Sequence, residues 1–233
     1  MSEKYDGVRA LGDGRVLRHR SGRAVAAPAS FLGALSAQAL DGELWAGRGR
    51  FDELSAIVCR AERRVGEWAQ VRYMVFEMPG AGSFAERVDR RAALLRRLGA
   101  ARVELASQRR VADRAELARA LDDVVGAGGE GLMLHLASAP YLTGRSAALL
   151  KLKPHHDAEA VVVGDQLGLG KLAGQVGALE LESPGGRRFF VGSGMSEGER
   201  RVPIGSLVTY RYRDLTPGGV PRFATYVRRH EPL

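Results

Sequence analysis

Lys4-Tyr5-Asp6-Gly7-Val8-Arg9 places an amine two residues before a carboxylate and five before a guanidinium, all at the start of the chain. Four further clusters follow: Leu40-Asp41-Gly42-Glu43, Phe76-Glu77, Glu130-Gly131-Leu132 and Lys151-Leu152-Lys153. A lysine beside an acid, separated carboxylates and a late lysine pair make up a kit for chemistry on a nucleoside triphosphate. The Lys4 amine would attack the α-phosphate, carboxylates would hold metal and sugar, and the late lysines would neutralise charge on phosphorus.

Each cluster has an ordinary reading beside the chemical one. Lys4 needs a neutral amine, which nearby positive charge and partial burial can supply; a basic-acidic strand followed by a turn is the plain alternative. Asp6 would orient the amine from the same side of a strand, Gly7 would admit close backbone approach, and Arg9 would reach ribose or phosphates. Asp41-Gly42 reads as a hairpin turn, or else carries Glu43 to the ribose or a hydrated Mg²⁺. Glu130, at the start of an apolar strand, fits a second carboxylate near the phosphates; Mg²⁺ keeps its waters, so few ligands suffice. Phe76 would stack on a base or simply belong to the core. Lys151 and Lys153 share one strand face, opposite leucines. Two ammonium groups side by side need a bridging anion, unless they only guard an exposed edge.

These residues must be held by an α+β framework. Residues 3–11 read as a strand that turns at Gly12-Asp13-Gly14 into a second at Val16–Arg20. Phe51, Leu54, Ile57, Val58 and Ala61 fall at helical spacing over 52–64, with Cys59 on the apolar side as a buried, inert thiol. Val71–Glu77 is an apolar strand. Helices follow at 84–98, closed by Gly99, and at 114–126, opened by Asp113 with Glu116, before a strand at 131–136. The composition changes at Pro154-His155-His156-Asp157. Beyond it, strands at 158–164, 176–182, 188–191, 207–212 and 223–228 match a small OB-type barrel. The expected domains are 1–154 and 155–233.

Bulk composition narrows the class. Thirty-five Lys and Arg against 27 Asp and Glu give a net charge of +8, which favours a polyanionic partner, nucleic acid before membrane. An arginine-rich solvated surface would carry the same charge. A single cysteine excludes an internal disulfide and a cysteine-built zinc site. No stretch is apolar enough to span a bilayer, and no secretory leader is legible, so the chain as written reads as cytoplasmic.

In order and phrasing the clusters resemble motifs I, III, IIIa, IV and V of ATP-dependent DNA ligases. The likeness is to the minimal bacterial E type: EKYDGVRA, LDGELWAGRGRF, YMVFEMPG, GGEGLMLH, GRSAALLKLKPHHDAEAVVVG and GSLVTYRYRDLTPGGVPRF. The resemblance runs from Glu3 to about Arg229. It implies a nucleotidyltransferase (ATP-grasp-like) domain with antiparallel sheets and flanking helices, then a C-terminal OB-fold β-barrel. It also implies nick sealing on duplex DNA by a monomer that uses ATP and Mg²⁺, or Mn²⁺.

By that resemblance Lys4 takes AMP, and Glu3, Arg9, Glu43, Phe76, Lys151 and Lys153 complete the ATP site. Lys151 and Lys153 assist catalysis, and Glu43 and Glu130 serve the metal. Arg20 would meet the nick 5′-phosphate, while Arg222 and Arg228 fall in the motif VI region of the OB domain. Relatives carry an upstream strand before motif I, so the chain reads as starting late, and export would follow if the true start lay further upstream. Glu77 stands where relatives more often have Asp, and the Arg228-Arg229-His230-Glu231 ending departs from the usual motif VI. An RNA ligase, a capping-type nucleotidyltransferase or a non-catalytic DNA-binding remnant would share parts of this pattern.

Overall fold

The structure, a computed structural model, describes residues 1–60, 64–216 and 218–230. It divides into two compact units, Met1–Lys153 and Pro154–Leu233.

The first unit holds two sheets. One has three strands in the order β1 (Ser2–Glu3), β7 (Leu132–His135) and β8 (Leu149–Leu152). The other has five, in the order β3 (Leu17–His19), β2 (Val8–Gly12), β4 (Leu40–Trp45), β5 (Arg72–Glu77) and β6 (Val103–Leu105). Neighbours are antiparallel except β5 and β6, which run parallel. The helices are α1 (Ala29–Leu32), α2 (Phe51–Val58), α3 (Phe84–Leu98) and α4 (Arg114–Gly126).

The strand expected over 3–11 is broken in two. Residues 4–7 leave β1 in one sheet and enter β2 in the other. Gly7 permits the crossing: a Cβ there would strike the Leu44 carbonyl and lie 2.6 Å from Glu43 Cγ. The β2–β3 hairpin forms as expected, its turn closed by Asp13 Oδ1, which accepts from the Arg15 and Val16 amides at 2.9 and 2.8 Å. Asp41-Gly42 is not a turn; it lies inside β4, where Gly42 lets Met74 and Tyr73 of β5 approach closely.

Helix ends follow the local chemistry. Ser83 and Glu86 form a capping box on α3, and Gly99 ends it in the left-handed region at φ 58°. Asp113 caps α4 by accepting from the Glu116 amide at 2.7 Å. α2 stops at Val58, so the expected helix over 52–64 is shorter; Ala61 lies outside the described residues. Cys59 caps that end and is exposed, not buried, because the helix stops before its apolar face can cover it. No described helix is long and apolar enough to cross a membrane.

The core of this unit gathers Ala10, Leu17, Phe31, Leu44, Leu54, Trp68 and Val75 between the five-stranded sheet and its helices. Each such large side chain contributes about 1.5–3 kcal/mol through burial.

The second unit is a five-stranded antiparallel sheet. Its order is β11 (Arg188–Val191), β10 (Val176–Glu182), β9 (His156–Leu167), β12 (Leu207–Tyr212) and β15 (Thr225–Arg229), with a small β13 (Asp214–Leu215) and β14 (Pro221–Arg222) pair. The strands expected of the small OB-type barrel form this one sheet, which does not close on itself among the described residues. Among the described residues β11 and β15 form no ladder; past β11, Ser193 meets the other edge, its carbonyl accepting from the Tyr226 amide at 2.9 Å and its hydroxyl donating to the Ala224 carbonyl at 3.3 Å. Past β11 the chain turns at Gly194, φ 87°, where a Cβ would strike the Tyr226 carbonyl. The sheet buries Ala160, Leu179, Leu181, Val191, Val208 and Tyr226.

Tyr73 ties three strands of the first unit together. Its hydroxyl is buried between the Ala10 and Leu40 carbonyls, 2.8 and 2.7 Å away. Tyr73→Phe removes a hydroxyl donor that lies against two buried carbonyls and should cost about 1–2 kcal/mol in urea unfolding. Unchanged stability would mean that the two carbonyls need no donor there.

Candidate active site

A cleft of about 280 Å³ opens in the first unit, lined by Glu3, Lys4, Arg9, Arg20, Glu43, Phe76 and Lys151 among others. Seven of the sequence-derived residues therefore share one cavity.

Lys4 is fixed by backbone. β1 pairs with β7 through Ser2–Met133 and Glu3–Leu132, and the Lys4 amide then donates to the Gly131 carbonyl at 2.8 Å. β7 pairs with β8 through Leu132–Leu152 and Met133–Lys151. This register brings Glu130, just before β7, next to Lys153, just past β8. Gly131, at φ 143°, sits where a Cβ would collide with the Leu152 carbonyl. Lys4 Nζ donates to Glu130 Oε2, and Lys153 Nζ to Glu130 Oε1. Burial opposes ionisation of Glu130, but the bonds from Lys153 and Lys4 outweigh it and hold its carboxyl below the ordinary range.

The bridging anion anticipated for the lysine pair is thus a protein carboxylate, and it joins Lys153 to Lys4 and not to Lys151. β8 is also an edge strand, so the ordinary reading of the pair holds in part. Lys151 lines the cleft and forms no ion pair among the described residues.

The other wall comes from the five-stranded sheet. The β2–β4 register sets Arg9 opposite Glu43, yet the Arg9 guanidinium reaches diagonally to Asp41, at 3.0 and 2.5 Å. It also stands 5.6 Å from the centre of the Phe76 ring. Glu43 is left with no side-chain hydrogen bond among the described residues. Burial lifts its carboxyl from 4.5 to about 7, against the pull of Lys4 and Arg9. Glu3 is held by Arg48 through two bonds of 2.8 and 2.9 Å.

Among the described residues no cluster of three or more His, Cys, Asp or Glu could enclose an ion. A divalent cation here would therefore rest on one or two carboxylates and keep its waters. Glu43 fits that role, being unpaired; Glu130 fits only by exchanging a lysine.

Other wall residues went unread in the sequence. Asp41, taken for part of a turn, holds Arg9. Glu77 forms a buried, two-bond ion pair with Arg87 at 2.9 Å. His135 stacks on Phe84 with ring centres 3.6 Å apart, and Tyr141 faces the same cavity. One signal was available: Phe84, Arg87, Arg91 and Leu95 occupy a single helical stripe. Arg20 is exposed at the cleft. Arg222 and Arg228 belong to the second unit, both exposed, on β14 and β15; Glu231 lies outside the described residues.

Comparison with known proteins bears on both units. Residues 1–153 match the family model of the ATP dependent DNA ligase domain, and residues 167–229 that of the DNA ligase OB-like domain. A DNA ligase of Haemophilus influenzae is 37% identical over 231 residues, covering 98% of this chain and 85% of that protein. A solved structure from a structure–function study of Lig E DNA ligases superposes with a TM-score of 0.85 at 40% identity, over 98% of this chain and 91% of that one. Chlorella virus DNA ligase-adenylate shares the fold, with a TM-score of 0.57 at 21% identity, over 100% and 91% of the two chains.

Glu43 gives the site a pH signature. A carboxyl that titrates higher in the folded than in the unfolded protein costs the fold nothing while it is protonated in both, below 4.5. The cost grows with pH and is complete above about 7. Glu43→Gln should therefore stabilise the protein at pH 8 by about 1–2 kcal/mol, the full shift being discounted for solvent screening. The gain should shrink toward pH 5. Chemical denaturation at both pH values checks this, and an equal gain at each would refute it.

Proposed function

The chain belongs to the ATP-dependent DNA ligase family, and from that membership we propose that its cleft carries out the three steps of nick sealing with Lys4 as the residue that takes AMP. The single observation behind this reading is the Lys4–Glu130–Lys153 bridge at the cleft wall. It presents one amine to the cavity with a carboxylate and a second ammonium behind it.

In the first step Lys4 Nζ attacks the α-phosphorus of ATP. A nitrogen–phosphorus bond forms, the bond to the bridging oxygen breaks, and pyrophosphate leaves. The ammonium form has no lone pair, so Lys4 must first leave its bond to Glu130 and lose a proton. In the second step an oxygen of the nick 5′-phosphate attacks the bound AMP, and Lys4 is released. In the third, the 3′-hydroxyl attacks that phosphate and AMP departs.

Lys151 and Lys153 supply positive charge where negative charge accumulates on the phosphoryl oxygens. Phe76 offers a stacking face to the base, and Arg9 and Glu3, which line the same cleft, border the nucleotide. Glu43 would hold Mg²⁺ or Mn²⁺, with Glu130 joining once a lysine moves aside; the ion would add charge at the phosphates. Arg20 is assigned to the 5′-phosphate of the nick, and Arg222 and Arg228 to the duplex, which the chain would engage as a monomer. The net charge of +8 supports phosphate contacts that weaken with salt.

Lys4→Ala should abolish the gain of one AMP seen by intact-mass spectrometry after incubation with ATP and Mg²⁺, while binding to nicked duplex stays nearly intact. An AMP adduct on the variant would reassign the nucleophile. Lys153→Ala and Lys151→Ala should each slow self-adenylation by about 10²-fold. An unaltered rate in both would reduce the pair to edge-strand charges.

A further inference from the structure

A helix packed on a sheet should turn an apolar stripe inward. α3 instead buries Arg87 and Arg91 within its stripe, both with 0% exposure. Such burial is costly unless each charge is opposed and hydrogen-bonded.

Arg87 meets that condition. Besides its two bonds to Glu77, it donates to the Gly82 carbonyl at 2.6 Å. Arg91 does not, since no carboxylate bonds it among the described residues. Its Nη1 donates to the Phe76 carbonyl, its Nη2 reaches the Ala106 carbonyl at 3.4 Å, and its Nε is buried without a partner. Desolvation lowers it to about 10, with Glu77 opposing. A methionine at this position would fill the stripe without these penalties.

What Arg91 holds is the end of β5. Phe76 and Glu77 are the last two residues of that strand, and α3 grips both: Phe76 by its carbonyl, Glu77 by its carboxylate. Beyond them the chain leaves the sheet at Met78-Pro79. On the cleft side, Arg9, itself held by Asp41, stands over the Phe76 ring.

We propose that Arg91 is a positioning residue for base recognition, fixing the end of β5 through the Phe76 carbonyl so that the Phe76 ring is set to stack on the base of the nucleotide. This rests on the reading of the cleft as the nucleotide site. Arg91 touches no reacting atom. It acts on affinity for the nucleotide, through ring placement, and not on phosphoryl transfer.

The test is a double-mutant cycle on the full chain, read as the half-saturating ATP concentration and the limiting rate of self-adenylation. Arg91→Met should raise the half-saturating concentration about tenfold, the scale of a lost stacking contact, and leave the limiting rate within about twofold. Arg91→Lys keeps one donor and should recover most of the affinity. Phe76→Leu should raise the concentration by itself, and the double variant should be no worse than Phe76→Leu alone. Additive effects, or a fallen limiting rate at unchanged half-saturation, would overturn the positioning role. If Arg91→Met cannot be purified folded, Arg91→Gln takes its place in the same cycle with the same expectation. Should Phe76→Leu leave ATP half-saturation unchanged, the base-site reading fails and the proposal falls with it. If only the Arg91 variants are silent, the positioning role alone fails.

Discussion

Two ammonium groups cannot share one cleft wall without an anion between them, and Glu130 is that anion. Lys4 and Lys153 come from opposite ends of the first unit's sequence, and neither place in the fold is tolerable without this carboxylate. The bridge is partly buried: its side chains are 18%, 20% and 25% exposed. Coulomb attraction is stronger there than in bulk water. Removing Glu130 would leave two positive charges facing each other, whereas a bound triphosphate can stand in for it. The same geometry that holds the two lysines together therefore suits the wall to an anionic occupant.

The bridge is only as precise as the backbone beneath it. Three strands supply it, and each register places one charge: β1 with β7 sets Lys4, while β7 with β8 sets Glu130 beside Lys153. A one-residue slip would turn every side chain of the slipped strand to the opposite face. The second sheet contributes Arg9, Glu43 and Phe76 from β2, β4 and β5. Residues 4–7 join the two, so the segment that begins with Lys4 also links the walls. Gly7 pays for that crossing by having no Cβ.

Much of this was legible in the sequence because local chemistry and tertiary structure agree. Period-two and helical patterns marked β5, α3, α4 and the strands of the second unit, and Gly99 and Asp113 marked helix ends. The resemblance, carried by six segments in order, located Lys4, Glu43, Phe76, Glu130, Lys151 and Lys153. What escaped was set by longer-range packing. Asp41-Gly42 has turn chemistry, but β2 and β5 on either side draw it into a strand. Glu77 read only as a longer substitute for Asp and serves as the partner of Arg87, a pairing that spacing alone does not reveal. Which strands edge the sheet of the second unit is set by pairings between distant segments, which no periodicity records.

The charges around the cleft can be matched one against another. Glu3 is taken by Arg48, Asp41 by Arg9, Glu77 by Arg87, and Glu130 by two lysines. Among the described residues this leaves Lys151 and Arg20 unpaired at the cavity, with Arg91 behind it. Of the carboxylates that line the cavity Glu43 alone has no ion pair among the described residues, and it is half-neutralised near pH 7 because burial raises it to about that value; Asp6, near Lys4 and Glu130, is also unpaired. The balance is positive, and it lies on groups that no protein anion satisfies. An occupant bearing several negative charges gains attraction without first breaking most of the existing pairs. A neutral ligand of the same shape would gain no such attraction, so the charge balance of the wall favours a polyanionic occupant.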